Sequence, residues 1–157
     1  MAPEHPGLTR FRSAHAERGG TGEIVILPDA VHTAALAAAT LGCEVGAIAN
    51  SLVFEADHGV VLVLTSGAHR VDTGALAPRI GAARLTRASA ELVRAATGQV
   101  IGGVSPIGHP APVPTYLDPW LRRHPRVWAA AGHPATVYAT DADELLRMTG
   151  AVEVDVD

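Results

Sequence analysis

The sequence predicts an α+β fold, in which a mixed and mostly antiparallel β-sheet or barrel is flanked by helices. Three features support this prediction. Short β-rich runs are joined as hairpins, helical segments lie between groups of these runs, and a regular alternation of strand and helix is absent. Hydrophobic residues make up 48% of the 157 residues and aromatic residues only 4%, so aliphatic side chains must form the core.

The first half of the chain predicts a short tail, three helices and a hairpin. Residues 1–7 are expected to form a flexible tail and residues 8–157 a single domain. The expected elements are a helix over 8–18, a strand over 23–27, a helix ending at Leu41, strands over 45–55 and 60–65, and a helix over 72–80. Asp29 is expected to cap the second helix, and Gly42 to end it. Asp57 and Gly59 favour a tight turn between the two long strands.

The second half predicts a glycine loop between a helix and further strands. The expected elements are a helix over 88–97, a strand-like apolar run before the glycines, an extended segment over 112–118, strands over 126–132 and 135–138, a helix from 141 to 150 and an edge strand over 151–156. Asp141 and Glu144 have the spacing of a capping box at the start of the last helix.

Composition excludes several functional classes. A formal net charge of −4 argues against a dedicated high-affinity nucleic-acid-binding protein. All 12 Lys and Arg positions are arginine, so no lysine amine can act as a base or a phosphate ligand. Five arginines lie between residues 68 and 101 against two acidic residues, which predicts either a basic face or an ordinary solvated helix surface. These are Arg70, Arg79, Arg84, Arg87 and Arg94.

Neither a metal nor another cofactor is expected, and nor is a membrane contact. Cys43 is the single cysteine, which excludes an internal disulfide, and its place near a helix end favours a small buried residue over a nucleophile. The eight histidines lack metal-binding spacings such as H-x-H or H-E-x-x-H. No apolar run is long enough to span a bilayer, and the start lacks the pattern of a signal peptide. A cytoplasmic protein is therefore expected.

The segment from Thr97 to Gly108 contains the most informative local pattern. Its glycines allow the main chain to approach a ligand without a Cβ in the way, and Pro106 fixes the exit of the loop. Several amides and carbonyls could then converge on one small polar group. The alternative is a tight turn between two core strands. Ser105 has neither the G-x-S-x-G context nor a predictable His/Asp pair of a serine hydrolase.

An ordered set of motifs resembles the YbaK/ProX (EbsC-like) family. The motifs are Gly46–Phe54, Leu62–Gly67, Arg70–Asp72, Thr97–Gly98, Gly102–Gly108, Asp118 and the strand ending at Gly132. The resemblance covers residues 8–157. It implies an aminoacyl-tRNA deacylase that acts in trans on mischarged tRNA, with the 3′ aminoacyl end as ligand and an aminoacyl-tRNA synthetase as a further candidate partner. Where such an enzyme has lost its chemistry, a binding module for an amino acid or aminoacyl end is the alternative.

The resemblance also implies the site residues. The G-x-x-x-P loop of the family falls on Gly102–Pro106, whose backbone would hold the aminoacyl group. The implied catalytic residues are Asn50, Gly102, Gly103, Ser105 and Pro106. The implied substrate-binding residues are Ser51, Ser66, Val104, Ile107, Gly108, His109, Asp118 and Gly132. For His109 and Asp118 the alternatives are an exposed turn residue and an ordinary turn acid.

Asn50 stands where the family has the lysine of its K-[ST]-L pattern. An asparagine amide donates and accepts hydrogen bonds but brings no positive charge to a phosphate or developing oxyanion. Arg70 is a candidate to supply that charge from elsewhere. The alternative for Asn50 is an amide that satisfies a backbone group at the end of its strand.

Overall fold

The computed structural model describes residues 4–28, 31 and 33–157 of the chain. The helices are α1 (Pro6–Glu17), α2 (Ala34–Leu41), α3 (Thr73–Arg79), α4 (Ala90–Thr97) and α5 (Ala142–Thr149), with 3-10 turns at Val45–Ala47 and Pro119–Arg123. The strands are β1 (Ile24–Ile26), β2 (Ile48–Ala56), β3 (Gly59–Ser66), β4 (Thr86–Arg87), β5 (Thr115–Leu117), β6 (Val127–Ala130), β7 (Thr136–Thr140) and β8 (Val152–Glu153).

One mixed sheet contains all eight strands. Its order is β1-β7-β6-β2-β3-β5-β8, and β4 pairs with β2 outside this path. The β1/β7, β2/β3, β2/β4 and β6/β7 pairs are antiparallel, whereas β2/β6, β3/β5 and β5/β8 are parallel. The predicted fold class, a mostly antiparallel sheet flanked by helices, is confirmed.

The central strand β2 has one continuous edge and one divided edge. On one side it pairs with β3 from Ala49 to Ala56. On the other side it pairs with β6 at Ile48–Ala49 and with β4 at Phe54–Glu55. Between these two pairings, residues 50–53 have no strand partner among the described residues on that side. We call this opening the strand gap.

The two faces of β2 pack against different groups of side chains, because successive residues of a strand point to opposite faces. Ala49 and Val53 pack in the main core with Val93 and Val104. On the other face, Phe54 packs with the helix α3, and Ile48 packs with α2 through smaller apolar clusters. The strand gap therefore lies where the main core meets these two outer layers.

Most local predictions are confirmed because short-range chemistry sets them. Strands β2 and β3 form the predicted hairpin. The predicted cap Asp141 accepts a hydrogen bond from the first turn of α5, and Asp72 and Ser89, which were not predicted as caps, do the same for α3 and α4. The last strand, β8, lies at the end of the sheet, as its alternating pattern predicts.

Some predicted boundaries are wrong. Helix α1 begins at Pro6 rather than at residue 8, and Gly7 is buried in close contact with Gly132. Helix α2 is capped by Thr33, and the predicted cap Asp29 lies outside the described residues. Residues 45–47 form a 3-10 turn before β2 begins.

The apolar run before the glycine loop is not a strand. Gln99 is 2% exposed, and the chain turns immediately after it. The Gln99 side chain is buried and bonds to Ser105, whereas in a strand with one exposed face it would point to solvent. The two-residue strand β4 was not predicted, because two exposed residues carry no periodic signal.

Candidate active site

A cavity of about 300 Å³ lies at the strand gap. Its walls come from α2, β2, β6, β7, the end of β4, α4 and the glycine loop. Most of the surface is aliphatic, with Ile48, Val53, Val93 and Val104 among the lining residues. Arg87 is the one ionisable side chain among the described residues that line it. We call this the gap cavity.

Four of the sequence-predicted site residues meet in the gap cavity. Asn50 and Ser51 enter it from β2, and Gly102 and Val104 enter it from the glycine loop. These pairs are about fifty residues apart in the sequence. The fold therefore brings the K-[ST]-L position and the first half of the loop to one cavity.

Ser51 offers unused polar groups at this place. Its Oγ is shielded from solvent and has no hydrogen-bond partner among the described residues. Main-chain groups of alternate strand residues point to the same edge. Because the Val53 carbonyl accepts a hydrogen bond from Ala88 N on the divided edge, the N–H and C=O of Ser51 also face the strand gap. A buried polar atom without a partner destabilises the folded state, because it has lost its hydrogen bonds to water. A bound ligand could supply the missing partner at Ser51.

The second half of the glycine loop is fixed by Gln99. The Ser105 amide donates to Gln99 Oε1 at 2.7 Å, and Gln99 Nε2 donates to Ser105 Oγ at 2.9 Å. Ser105 Oγ in turn donates to the carbonyl of Ile107 at 2.6 Å. Ser105 is fully buried and does not line the gap cavity. Its hydroxyl therefore holds the loop in shape. Sequence reasoning missed Gln99, whose only signal is a polar residue between apolar neighbours.

Two other predicted residues, Gly103 and Gly132, lie at close backbone contacts. A Cβ on Gly103 would lie 2.6 Å from Pro134 N, and its own amide donates to the Val100 carbonyl at 2.9 Å. A Cβ on Gly132 would lie 2.2 Å from the carbonyl oxygen of Gly7. Both glycines permit segments of the main chain to pack together, and neither lines the gap cavity.

The residues after Val104 line a different space. Pro106, Ile107, Gly108 and His109 border a second cavity of about 210 Å³ together with Arg18. His109 Nε2 donates to the Ser105 carbonyl at 2.8 Å, and burial lowers the pKa of its imidazole. The structure does not bring these four residues together with Asn50.

The remaining predicted residues, Ser66 and Asp118, form a buried cluster. Asp118 is 1% exposed, and its Oδ2 accepts from Ser66 N at 3.0 Å and lies 2.8 Å from His69 Nδ1. Its Oδ1 accepts from Trp120 N at 2.9 Å. Ser66 Oγ donates to the Gly46 carbonyl at 2.8 Å. These bonds join the end of β3 to the turn after β5, and neither residue lines any of the cavities described here.

A third space, of about 260 Å³, adjoins the gap cavity. The two share Asn50, Leu52 and Arg87 as lining residues. We call this space the basic groove; it is lined by Asn50, Leu52, Phe54, Thr65, His69, Arg70, Val71, Thr73 and Arg87. Arg70, the sequence-predicted candidate for a compensating charge, lies in it, and Arg87 was missed as a site residue because β4 was missed.

In the described part of the chain, no group of three or more His, Cys, Asp or Glu side chains is placed to hold a metal ion. No helix there has both the length and the hydropathy needed to cross a membrane. The mixed sheet and the largely apolar cavity at its central strand define a class of protein, a small α+β domain with a pocket for a ligand at a strand edge.

Comparisons with known proteins narrow this class. The family model for the aminoacyl-tRNA editing domain matches residues 28–148. A solved structure described provisionally as a trans-editing enzyme for prolyl tRNA synthetase is 42% identical with a TM-score of 0.93, over 99% of each chain. The chain therefore belongs to the aminoacyl-tRNA editing domain family, the YbaK-like family that its motifs resemble.

Two further solved structures share the fold. A scaffold protein used for computational epitope grafting is 40% identical with a TM-score of 0.92, over 98% of this chain and 99% of that one. A protein of unassigned function is 28% identical with a TM-score of 0.85, over 94% and 98% of the two chains. No curated protein sequence gives a significant match.

Proposed function

We propose that this protein is a trans-acting aminoacyl-tRNA deacylase that hydrolyses the ester of a mischarged tRNA at the strand gap. The observation that carries the proposal is the convergence of Asn50, Ser51, Gly102 and Val104 on one cavity. Family membership supplies the class of substrate. The cavity and its polar edge supply a place for the aminoacyl group.

The size and lining of the gap cavity favour a small amino acid. About 300 Å³ lies at the lower end of the range for ligand pockets. Val53, Val93 and Val104 give aliphatic walls that exclude a charged side chain because it would lose its hydration. The polar groups that remain are at the β2 edge, where the parts common to all amino acids would bind.

The groups at that edge match the parts of an aminoacyl ester. The Asn50 amide donates to the ester carbonyl oxygen, where negative charge develops as water attacks. The Ser51 carbonyl and Oγ accept hydrogen bonds from the α-ammonium group. Gly102 lets the loop backbone approach the acyl group, because it has a positive φ of 88° and no side chain. Together these contacts orient the ester for attack.

The described lining residues of the gap cavity include no carboxylate and no histidine that could act as a general base. The family resemblance implies a mechanism in which the substrate itself assists the attacking water, as the vicinal ribose hydroxyl of the terminal adenosine can. The protein then contributes orientation, dipoles and partial exclusion of bulk water, and needs no nucleophile of its own.

The second candidate function is a binding module that retains the pocket without turnover. Asn50 favours it, because this position lacks the cation of the family lysine. The two functions differ in one observable. A deacylase shortens the half-life of an aminoacyl ester, whereas a binding module at stoichiometric concentration protects the ester or leaves it unchanged.

The test is an ester half-life assay with a panel of mischarged tRNAs carrying small amino acids. The protein is expected to accelerate hydrolysis of at least one, and Asn50→Ala to reduce kcat/KM about 100- to 1000-fold, since one oriented donor in such a site contributes on this scale. Ser51→Ala is expected to slow hydrolysis as well, and Ser13→Ala, which removes an exposed hydroxyl on α1, is its control. Hydrolysis at the buffer rate for the whole panel would refute the deacylase and leave the binding module.

A further inference from the structure

The basic groove contains the positive charge that position 50 lacks. We propose that it binds a phosphodiester of the tRNA 3′ end, with Arg87 as the principal ligand and Arg70 as the second. This inference rests on the proposed function, because it assigns the nucleotide part of the substrate to the space next to the gap cavity. It extends that function by naming which residues hold the RNA and where the RNA leaves the pocket.

The first argument is continuity between the two spaces. The gap cavity and the basic groove share Asn50, Leu52 and Arg87, so a ligand that fills one reaches the other at the β2 edge. An aminoacyl ester has a small apolar end and a polyanionic end. The aliphatic cavity suits the first, and the groove with two arginines suits the second. The ester bond would then lie near Asn50, at the junction.

The second argument is that β-sheet register places these side chains on one face. Asn50 lies opposite Thr65 on β3, and Phe54 lies opposite Arg87 on β4. Directly paired residues of antiparallel strands project to the same face. Arg87 Cζ lies 5.8 Å from the centroid of the Phe54 ring, which keeps the guanidinium over the face that carries the groove. Asn50 and Arg87 therefore project to the same face of the sheet.

The third argument is that both arginines are available. Arg70 and Arg87 are exposed, and neither forms a salt bridge with any described carboxylate. Arg12 and Arg122, by contrast, are paired with acidic side chains. The buried Asp118 contacts the groove-lining His69, and three protein donors plus the His69 ring already satisfy its carboxylate. The residues that line the groove therefore carry two guanidinium groups and no carboxylate. Asp72, which lies in the chain between the lining residues Val71 and Thr73, caps α3 through its Oδ1.

Guanidinium chemistry fits a phosphodiester, the anion that the proposed substrate carries next to its ester. An arginine can donate two parallel hydrogen bonds to the oxygens of one phosphate. A terminal nucleotide whose ester lies at Asn50 carries its 5′ phosphate one nucleoside away, next to the groove. Relocation of the charge from position 50 to Arg87 also explains how a chain without lysine can retain this contact.

The test compares two esters of the same amino acid. One is the mischarged tRNA, and the other is the 2′(3′)-aminoacyl adenosine, which has the same ester and no phosphate. Arg87→Gln should lower kcat/KM for the tRNA about 10- to 100-fold and change hydrolysis of the nucleoside ester less than about threefold, because only the first substrate carries the anion. Arg70→Gln should act in the same direction with a smaller loss.

Arg84→Gln is the matched control. Arg84 is an exposed arginine three residues before Arg87, and it lines neither the gap cavity nor the basic groove. It should leave both rates near the parent values. Arg87→Lys should recover part of the tRNA rate, because the charge remains but the planar fork is lost. Thermal unfolding of each variant shows whether the fold is intact.

A binding measurement separates the groove from the chemistry. The probe is an uncharged RNA hairpin that ends in the acceptor-stem 3′ overhang, titrated at several salt concentrations. Arg87→Gln should weaken binding and reduce the slope of log K against log salt by about 0.7 to 1. Equal affinity and slope for the parent and Arg87→Gln would overturn the groove proposal, even if the parent is an active deacylase. A parent that binds with the expected slope but hydrolyses neither ester would refute the proposed function alone.

Discussion

The two halves of the glycine loop differ in what they do, although they are adjacent in one short motif. Gly102 and Val104 line the gap cavity. From Ser105 to His109 the polar groups bond to one another and to Gln99, and the surface they form borders a separate cavity. In the proposed function the first half holds the ligand, and the hydrogen bonds of the second half fix the position of the loop. The first half is expected to carry function and the second half stability.

The largest expected effect is the loss of stability and activity when the second half of the glycine loop loses its contacts with Gln99. Gln99→Leu removes both side-chain contacts to Ser105 and leaves the buried Ser105 amide unpaired, whereas the Ser105 hydroxyl keeps its bond to the Ile107 carbonyl. We expect the free energy of unfolding to fall by about 1–3 kcal/mol, with loss of deacylation, since a buried unsatisfied group costs about 1–3 kcal/mol. Chemical denaturation measures the first effect. Unchanged stability would mean that the loop does not depend on this amide.

The next effect separates function from stability. Ser51→Ala removes a buried hydroxyl that has no partner among the described residues. We expect deacylation to fall about tenfold while unfolding free energy stays the same or rises by about 1 kcal/mol, because an unsatisfied polar atom is removed. Ester half-lives and denaturation curves, with Ser13→Ala alongside, measure both. A loss of stability equal to the loss of activity would indicate a structural role for Ser51.

A gain is expected from restoring the family cation. Asn50→Lys places an ammonium group at the junction of the gap cavity and the basic groove. We expect tRNA to bind several-fold more tightly, with a salt slope steeper by about 0.7 to 1, because one phosphate contact is added. If affinity and slope match the parent, position 50 does not face the nucleic acid.

The smallest effect on activity is expected at the far side of the loop. His109→Gln should leave deacylation within about threefold of the parent, because His109 borders the second cavity. The pKa of His109 is lowered mainly by burial. The unfolded chain therefore binds a proton more readily, so stability is full above the ordinary histidine pKa and falls as the pH drops through it.

His15 adds to this acid sensitivity, because burial lowers its pKa as well. Removing His109 should make the stability curve flatter between about pH 6.5 and 5, where the unfolded chain takes up protons. Denaturant midpoints measured across this range test the effect. An equal decline in the parent and His109→Gln would assign it to other groups.

The parts of the fold that were predictable depend on near neighbours. The β2/β3 hairpin follows from the turn at 57–58, and the cap at Asp141 follows from its own side chain. The strand gap was not predictable. It depends on where β4 and β6 end against β2, and pairing of distant strands leaves no local pattern.

The residues of the candidate site were predictable from the sequence, but their individual roles were not. Motif resemblance identified Asn50, Ser51, Gly102 and Val104, which the fold brings to one cavity. It could not distinguish them from Ser105 or Asp118, because a polar residue that binds a ligand and one that binds its own backbone look alike in a sequence. Arg87 escaped notice because its position depends on a two-residue strand.

The most direct test of the central claim is the half-life of a mischarged tRNA ester with the parent protein, Ser51→Ala and His109→Gln under identical conditions. The strand-gap account predicts rapid hydrolysis by the parent and His109→Gln and about tenfold slower hydrolysis by Ser51→Ala. Hydrolysis that survives in Ser51→Ala and is lost in His109→Gln would place the chemistry in the second cavity and contradict the account.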